Sequence, residues 1–490
     1  MRYDAAIIGA GANGLVAAAC LAGAGLSVVV VERSNRAGGR LATREFHPGF
    51  RASPFCDEVD PIPADVYRAL DLARRGAILL PAQSSLALWP DRRNEIRHDG
   101  TSPGRIDERT FADVESLRAH ARADALRAPK RRWFARSDPA PAWPQPLWAG
   151  ASLAEALSER SADPDARAHA LARALAGRAV DPFAPGGALH LLTPGLGGSG
   201  MTMGGLATLA EALERAAREA GADMLLGLEA ADIQRKRGRA CGLRLADGTE
   251  IGARAIISTL DLKRTFFSLF AWKDLPEELT GRVSAFRHAP STARLLLALD
   301  APPPGTAELG AGPFFVAPGI KSFARAFDAW RMQVAPELPP MSLRLVSAAD
   351  PSLAPSGKAT MTATIGCVPH RPFDGPWTHD KRMALRRRAL AAIESVLPGT
   401  AARLLGAELI LPEDIESALG VTGGDLDGGE IAPDQMFAWR AFPDRPGGRT
   451  PIRGLYLGGR SAPAGPLGAC EAGVVAARAA LADFAAGRLA

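Results

Sequence analysis

The 490-residue sequence contains few of the residues from which metal centres, dithiol centres and aromatic cages are built. Its five cysteines are scattered and form no C-x-x-C pair, which argues against a dithiol redox centre or a zinc ribbon and favours a reducing compartment. Its eight histidines show no metal-ligand spacing, so we predict no metal site. Only three tyrosines are present, which disfavours an aromatic cage around an amine.

The sequence also lacks a strong excess of charge of one sign. The 58 basic and 53 acidic residues leave a net charge of +5 that is spread along the chain, which disfavours a nucleic-acid partner. One local basic segment, 118–136, precedes a Pro- and Trp-rich stretch at 139–148. We interpret this segment as a solvated helix face that leads into a surface loop. The alternative is that the segment docks onto an anionic surface.

One long stretch, 5–31, contains no charged residue at all. Its length is that of a membrane span or a signal-peptide core, but its glycines and asparagine would weaken a helix that faces lipid, and no basic segment precedes it. The stretch instead has the pattern of a strand, a Gly-rich turn at 9–14, a helix and a second strand. Glu32 follows about twenty residues after these glycines, where an acidic side chain binds ribose hydroxyls in dinucleotide-binding folds.

A second glycine turn, 36–43, follows closely and contains Gly38, Gly39 and Arg40. Adjacent glycines let backbone approach a ligand, and a guanidinium suits a diphosphate or the edge of a polar ring. A plain β-turn is the alternative.

The middle of the chain carries fewer signals. Residues 67–194 have the pattern of helices and irregular loops, and a helix at 206–220 leads into a β-meander through 257. The run 195–200 repeats G-x-G-x-x-G, and we interpret it as the lead into that helix, with a separate nicotinamide site as the alternative. We predict a strand at 293–299, a helix at 381–396 and a final helix at 467–484.

An aromatic cluster at 266–272 admits two interpretations. A buried helix is favoured because aromatic side chains most often pack inside a protein, and a membrane-facing portal is the alternative.

Six segments together resemble the phytoene-desaturase-like branch of the FAD-dependent amine-oxidoreductase superfamily. They lie at 5–33, 36–50, 204–213, 256–261, 423–437 and 451–473. The resemblance implies an α/β fold with a Rossmann-like FAD-binding domain of the glutathione-reductase type, which includes the β-meander, and an interleaved α+β substrate domain. We assign 1–75, 195–262 and 443–490 to the FAD-binding domain, and 76–194 and 263–442 to the substrate or cap domain.

The resemblance also implies which residues contact FAD. The glycines of the first turn would hold the diphosphate, Glu32 the adenosine ribose, Ala230 the adenine through its backbone, and the C-terminal residues would border the ribityl chain and the ring. The full set is Gly9, Gly11, Ala12, Asn13, Gly14, Glu32, Arg33, Gly39, Arg40, Ala230, Gly459, Leu467, Gly468 and Ala469. The N-terminus of the final helix would stabilise negative charge on a reduced flavin.

Two positions depart from the family pattern. Related bacterial proteins commonly carry a histidine where this chain has Gly428, and the wider superfamily often has an acidic residue at Gly459-Arg460. We therefore assign no catalytic residue. Nearby Asp425 and Asp427, with Glu430 and Asp434, are equally well explained as solvated loop residues.

The resemblance implies an FAD-dependent oxidoreductase that removes a hydride from an organic substrate, with lipophilic molecules among the candidates. Oxygen, a quinone or another acceptor would reoxidise the flavin. The alternatives are an amine oxidase-like enzyme, an FAD-binding scaffold or interaction protein with little turnover, and a reductase that binds NADPH at 195–200. We predict a cytoplasmic protein, with peripheral membrane contact left open and the oligomeric state undetermined.

Overall fold

The computed structural model describes residues 1–81, 85–89, 92–98, 150–192, 200–307, 309–316, 319–436 and 439–489, with the backbone alone at 92–98. The sequence predictions for 118–136, 139–148 and 195–199 lie outside these residues.

The described chain contains strands β1 to β16 and helices α1 to α11. The strands are Arg2–Ile8, Val28–Glu32, Arg44–His47, Phe50–Ala52, Ser85–Trp89, Arg92–His98, Ala222–Leu226, Ala230–Lys236, Arg239–Leu245, Glu250–Ser258, Ala293–Leu299, Phe314–Val316, Met341–Arg344, Ala359–Ile365, Leu404–Ile410 and Leu455–Leu457. The helices are Ala12–Gly23, Ala64–Ala69, Leu153–Ser158, Pro164–Ala174, Ala207–Glu219, Glu277–Ala285, Ile320–Arg331, Val346–Ala349, His379–Val396, Pro412–Leu419 and Glu471–Ala485.

The first sheet has the strand order β7-β2-β1-β10-β9-β8, and β16 also pairs with β10. Strands β7, β2, β1, β10 and β16 run parallel, whereas β9 and β8 form the antiparallel meander. Residues 28–31 are buried on both faces, as expected for a central parallel strand with a continuous apolar run. The sheet therefore joins the N-terminus, residues 222–258 and the C-terminal part of the chain.

The second sheet has the order β15-β11-β14-β13-β12-β5-β6. All pairs are antiparallel except β12 with β5, and every residue of β11 is buried. Its strands all come from residues 85–98 and 293–410. The domain boundaries drawn from the sequence stay a prediction.

Several predicted elements are confirmed. The strand at 293–299 matches β11, the helix at 206–220 is α5, and the helix at 381–396 is α9, which begins two residues earlier behind the cap of Thr378. The prediction of helices and loops for 67–194 was wrong at β5 and β6. Strands β5 and β6 form an antiparallel hairpin, and β5 also pairs with β12, which lies more than two hundred residues later. The local hairpin was missed, and the long-range pairing leaves little signal in the local sequence.

Two further predictions need adjustment. The last helix begins at Glu471 instead of 467, because Cys470 adopts a left-handed conformation with φ of 69° and interrupts the helical path. The aromatic cluster is buried at Phe266 and Phe270, whose rings stack 5.9 Å apart, but Trp272 is 63% exposed. The buried interpretation is thus confirmed for these two phenylalanines. In the described part of the chain, no helix has both the length and the apolar character that crossing a membrane requires.

Candidate functional site

The first glycine turn connects the end of β1 to the start of α1. Gly9 has a φ of 98°, and a Cβ at Gly14 would lie 1.9 Å from the Gly9 carbonyl oxygen, so α1 can pack on the turn only with glycine there. A Cβ at Gly11 would meet no atom within 4 Å, and no side chain caps α1. The amino end of α1 is therefore left open to an anionic ligand.

Glu32 ends β2 beside this turn. One carboxylate oxygen accepts the Ala10 N–H at 2.8 Å, and the other accepts the Ser34 N–H at 2.9 Å. These two bonds fix the carboxylate at the carboxyl edge of the parallel strands, next to the open end of α1.

The turn borders an open cavity of about 1040 Å³, here called the first cavity. The cavity also contacts the second glycine turn and the loop before α11. Eight of the predicted cofactor residues line it: Gly9, Gly11, Ala12, Asn13, Glu32, Gly39, Arg40 and Ala469. The structure thus brings together predicted residues from both ends of the chain.

The other predicted residues do not line this cavity: Gly14, Arg33, Ala230, Gly459, Leu467 and Gly468. Gly459 and Gly468 instead allow close backbone packing, since a Cβ would lie 2.2 Å from the Thr259 oxygen and 2.6 Å from the Pro61 oxygen, respectively. Leu467 is buried in an apolar cluster, and Ala230 is the buried first residue of β8.

Arg33 contacts the protein itself, and its predicted contact with FAD stays a prediction. Its guanidinium donates to the carbonyl of Ser417 at 2.8 Å and to that of Ala418, at the carboxyl end of α10. A cation is favourable at this end of a helix. Because residues 419–421 line the first cavity, Arg33 holds the wall of the cavity in place and does not itself reach into it.

A second cavity of about 1140 Å³ adjoins the first. The two share Arg40, Cys56, Glu58, Asp60 and Leu426 in their linings. The complete lining of the second cavity is Arg40, Phe55, Cys56, Asp57, Glu58, Asp60, Ser85, Arg173, Ala176, Arg178, Thr292, Pro313, Phe315, Ser342, Arg344, Thr364, Leu426 and Asp427. A small molecule in this space would lie directly beside a ligand in the first cavity.

Ion pairs surround the second cavity. Arg178 binds Asp427 through two bonds of 2.7 and 3.0 Å, and Arg460 binds both Asp427, at 3.2 Å, and Asp60. Farther along the wall, Arg294 binds Asp57 at 2.8 Å.

These pairs decide the charge state of the carboxylates. Burial alone would raise the pKa of Asp427, but the guanidiniums of Arg178 and Arg460 hold it well below its usual range. The pKa of Asp57 is likewise lowered, against burial, by Arg294, and that of Asp60 by Arg460. All three are therefore ionised at neutral pH.

The acidic residues of the Gly-rich segment at 423–437 divide into two groups. Asp425 is buried and contacts His288 Nδ1 at 2.9 Å, and Asp427 belongs to the ion pairs described above. The solvated-loop interpretation is therefore wrong for both of these residues. It fits Glu430 and Asp434 better, because Glu430 is partly exposed, Asp434 is exposed, and both pair with Arg287.

The two positions that depart from the family pattern, Gly428 and Gly459-Arg460, lie next to each other in the structure. A Cβ at Gly428 would lie 2.7 Å from Cβ of Arg460, and the Ser461 hydroxyl donates to the Gly428 carbonyl at 2.6 Å. Gly428 also has a φ of 66°. The backbone at 460–461 thus occupies the space that any side chain at position 428 would need.

Of the four arginines that line the second cavity, sequence reasoning identified Arg40 and missed Arg173, Arg178 and Arg344. Arg173 and Arg178 come from α4 and the turn after it, and Arg344 ends β13. These three belong to no motif, and Arg344 lies more than 160 residues from the other two, so only the three-dimensional structure brings them together.

The first cavity fits a flavin dinucleotide. The glycine turn leaves room for a diphosphate, the amino end of α1 has no side-chain cap, and Arg40 Nε is buried without a hydrogen-bond partner among the described residues. A phosphate or a polar ring edge would satisfy that nitrogen.

Comparison with known proteins gives an independent result. Residues 13–398 match the family model described as flavin containing amine oxidoreductase. The chain is similar to pyridine nucleotide-disulfide oxidoreductase domain-containing protein 2 of Rattus norvegicus, with 25% identity over 94% of this chain and 90% of the relative. It is also 26% identical to 4,4'-diapolycopene oxygenase of a Methylomonas species, over 46% of this chain and 44% of that protein.

The fold is similar to that of solved oxidase and oxidoreductase structures. Cyclohexylamine oxidase from Brevibacterium oxydans superposes with a TM-score of 0.62 and 16% identity, over 99% of both chains. An oxidoreductase from Methanosarcina mazei superposes with a TM-score of 0.59 and 20% identity, over 99% of this chain and all of the other. These matches confirm the predicted α/β fold class and the resemblance to the phytoene-desaturase-like branch.

Proposed function

We propose, from the premise that this chain belongs to the flavin-containing amine oxidoreductases, that it dehydrogenates a carbon–carbon bond of a substrate held in the second cavity. Membership of this family confirms FAD as the cofactor and oxidation of an organic substrate as the activity. When bound, FAD would accept a hydride from one carbon of the substrate, and loss of a proton from the adjacent carbon would complete the carbon–carbon double bond.

The main support for the proposal is that the two cavities adjoin and share lining residues. Arg40, Cys56 and Leu426 line both spaces, so they mark where a substrate would meet the flavin. On the first-cavity side, the open amino end of α1 and Glu32 would hold the diphosphate and the ribose, respectively. The wall at 419–421, which Arg33 holds in place, would limit the access of water.

The lining supports dehydrogenation over amine oxidation. Among the described residues, Phe55 and Phe315 are the aromatic side chains that line either cavity, and none of the three tyrosines does so. An aromatic cage of the kind that would surround an amine is therefore lacking from the described lining. The similarity to 4,4'-diapolycopene oxygenase also supports a position among the desaturase-like members.

Anaerobic reduction of the purified FAD-loaded protein tests this proposal. Saturated organic compounds, primary amines and NADPH would be added separately while the visible flavin absorption is followed, and air would then be admitted. We expect bleaching by a saturated compound, formation of the matching alkene, and recovery of absorption on reoxidation. Bleaching by amines alone, or by NADPH alone, would overturn dehydrogenation in favour of an oxidase or a reductase. A flavin that no compound reduces, in a protein that retains one partner on purification, would indicate a scaffold.

A further inference from the structure

We propose that His288 is a positioning residue for the FAD site, which holds Asp261 and Asp425 together as an imidazolium and takes up its second proton when FAD binds. Both aspartates line the first cavity, whereas His288 does not. The inference goes beyond the proposed function, because it concerns the binding of FAD and does not depend on the reaction in the second cavity.

His288 is a buried link between two carboxylates from distant parts of the chain. Its Nδ1 lies 2.9 Å from Asp425 Oδ2, and its Nε2 lies 4.0 Å from Asp261 Oδ1. The side chains of His288, Asp425 and Asp261 are 5%, 4% and 2% exposed, respectively. Water therefore screens these contacts weakly, and a charge on the imidazole acts directly on both carboxylates.

The two ring nitrogens of His288 have different surroundings. A carboxylate oxygen of Asp425 accepts at Nδ1, so Nδ1 carries the hydrogen of this bond. Nε2 is buried and has no hydrogen-bond partner among the described residues. In a neutral imidazole, Nε2 would therefore present a lone pair to the Asp261 carboxylate, which is unfavourable for both groups. A proton on Nε2 converts this contact into an attraction.

Asp261 and Asp425 hold the backbone of the cavity wall. Asp261 accepts the Thr422 N–H at 2.7 Å and the hydroxyl of the same residue at 2.9 Å. Asp425 accepts the N–H groups of Asp427 at 3.0 Å and Gly429 at 2.9 Å. An imidazolium between the two carboxylates would therefore fasten this wall to the chain that follows β10.

Four further charged side chains lie near these three residues: Arg264, Arg287, Glu416 and Arg440. Arg264 pairs with Glu416, and Arg287 pairs with two acidic residues of the Gly-rich segment. Arg440 lies over the Phe286 ring, whose edge meets the imidazole, and its positive charge acts on Asp425. Asp261 depends more strongly on His288, because no other side-chain cation among the described residues lies within 4.0 Å of its carboxylate.

The position of Asp261 connects His288 to the ligand. Thr259 Oγ1 donates to the Ile8 carbonyl at 2.8 Å, which places Asp261, two residues later, beside the first glycine turn. The diphosphate of FAD is a dianion, and at this turn it would lie near both carboxylates. Because like charges close together in a buried site favour proton uptake, FAD binding should draw a proton onto Nε2, and this proton should in turn strengthen FAD binding.

Calorimetric titration of the full-length protein, freed of FAD, with FAD tests this coupling. The titration is carried out near neutral pH in HEPES and in Tris, whose heats of ionisation differ, so the difference between the two binding heats counts the protons taken up. We expect an uptake that approaches about one proton per FAD, because one ring nitrogen gains one proton. No uptake, or a release of protons, would overturn the inference.

The pH dependence of FAD affinity gives a second measurement. For the unmodified protein, we expect the affinity to fall by up to about tenfold per pH unit as the pH is raised from about 6 to about 9, because binding then has to supply the proton that histidine has lost. An affinity that is constant over this range, or that rises with pH, would contradict the coupling.

Matched variants assign the proton to His288. His288→Asn keeps an amide donor in the place of Nδ1 but cannot gain a proton, so we expect weaker FAD binding near pH 6, no pH dependence and no proton uptake. His379→Asn is the control, because His379 is exposed at the start of α9 and lines neither cavity. A His288→Asn variant that keeps the proton uptake would contradict the assignment. A merely structural role would lower the affinity equally at every pH.

The failures of the two proposals are distinguishable. A protein that binds FAD without proton uptake would overturn this inference alone. A protein that binds FAD with proton uptake, but is reduced by no saturated compound, would overturn the proposed function alone. If His288→Asn does not fold, Asp261→Asn replaces it, because the loss of the carboxylate that faces Nε2 should also abolish the uptake. Proton uptake that persists in Asp261→Asn would overturn the inference.

Discussion

At the scale of single residues, Gly11 and Gly14 of the first turn are required for different reasons. Gly14 serves the protein itself, because any side chain there would collide with the Gly9 carbonyl. Gly11 has no such neighbour, and its empty side faces the first cavity. The protein does not need glycine at position 11 in order to fold, so the requirement for it comes from the ligand.

Gly11→Ala should therefore fold normally but bind FAD poorly. We expect its free energy of unfolding without FAD to change by less than about 1 kcal/mol, because its φ of −74° suits alanine. Its affinity for FAD should fall on the order of tenfold or more, because the methyl group occupies the path of the diphosphate. Fluorescence titration with FAD and urea unfolding measure the two effects.

Gly23→Ala supplies the control for this prediction. Gly23 lies at the other end of α1, is exposed, and would place its Cβ in open space. The variant should keep full affinity for FAD. Equal affinities in Gly11→Ala and Gly23→Ala would contradict the role assigned to Gly11.

The residues that could be predicted from the sequence are those whose signal is local. The glycine turn and Glu32 lie within about twenty-five residues of one another, and spacing alone identifies them. Arg460 and Asp60 are four hundred residues apart and belong to no motif, so their ion pair became visible only in the folded chain. The contacts of Arg33 could not be predicted for the same reason, because its partners, the carbonyls of α10, also lie far away in the sequence.

At the scale of elements, one buried arginine organises the Gly-rich segment that separates the cavities. Arg440 is fully buried and donates to the carbonyls of Asp427, Gly429, Glu430, Gln435 and Arg460. Burial lowers the pKa of Arg440 to about 10. The described residues of the segment form no strand or α-helix, so these bonds take the place of the backbone hydrogen bonds of a regular element.

Arg440→Met should be strongly destabilising. The substitution leaves five buried or partly buried carbonyls without this donor, and we expect a loss of about 3 kcal/mol in the free energy of unfolding. Arg445→Met is the control, because Arg445 is half-exposed and forms an ion pair with the adjacent Asp444. The free energy of unfolding of this variant should fall by no more than about 0.5 kcal/mol. Urea denaturation measures both. Equal midpoints for the two variants would show that Arg440 does not hold the segment.

Elements could be predicted where periodicity or an apolar run is strong within one segment. Helix α5 and strand β11 are of this kind, and both appear within a residue of their predicted bounds. Strand β5 is not, because its five residues form a strand through pairing with β6 and with the distant β12, and its own sequence has no strong alternation or apolar run. The start of α11 depends on the backbone at Cys470, and its conformation has no sequence signature.

At the scale of the whole molecule, Asp427 connects three distant parts of the chain. Its partners are Arg178, which follows α4, and Arg460, which follows β16, while Asp427 itself lies in the segment between α10 and β16. The pKa of Asp427 is held well below its ordinary value of 3.8. A carboxylate with a lowered pKa contributes stability above its unfolded pKa and loses it as the pH falls towards the folded pKa.

Asp427→Asn should therefore reduce stability in a way that depends on pH. Near neutral pH we expect a loss of about 3 kcal/mol, because Arg178 and Arg460 both lose a buried partner. Below about pH 4 the difference from the unmodified protein should shrink, since the unfolded carboxyl is then protonated. Urea unfolding across this pH range checks the prediction, with the exposed Asp328→Asn as a control that should show little change. A difference that is constant with pH would contradict the ionised state of Asp427.

The central claim is that both ends of the chain build one FAD site that opens into the second cavity. A crystal structure of the protein with FAD measures this most directly. The account predicts the diphosphate at the amino end of α1 and the flavin ring where Arg40, Cys56 and Leu426 border both cavities. FAD bound away from the Gly9–Gly14 turn, or a flavin ring separated from the second cavity by protein, would contradict it.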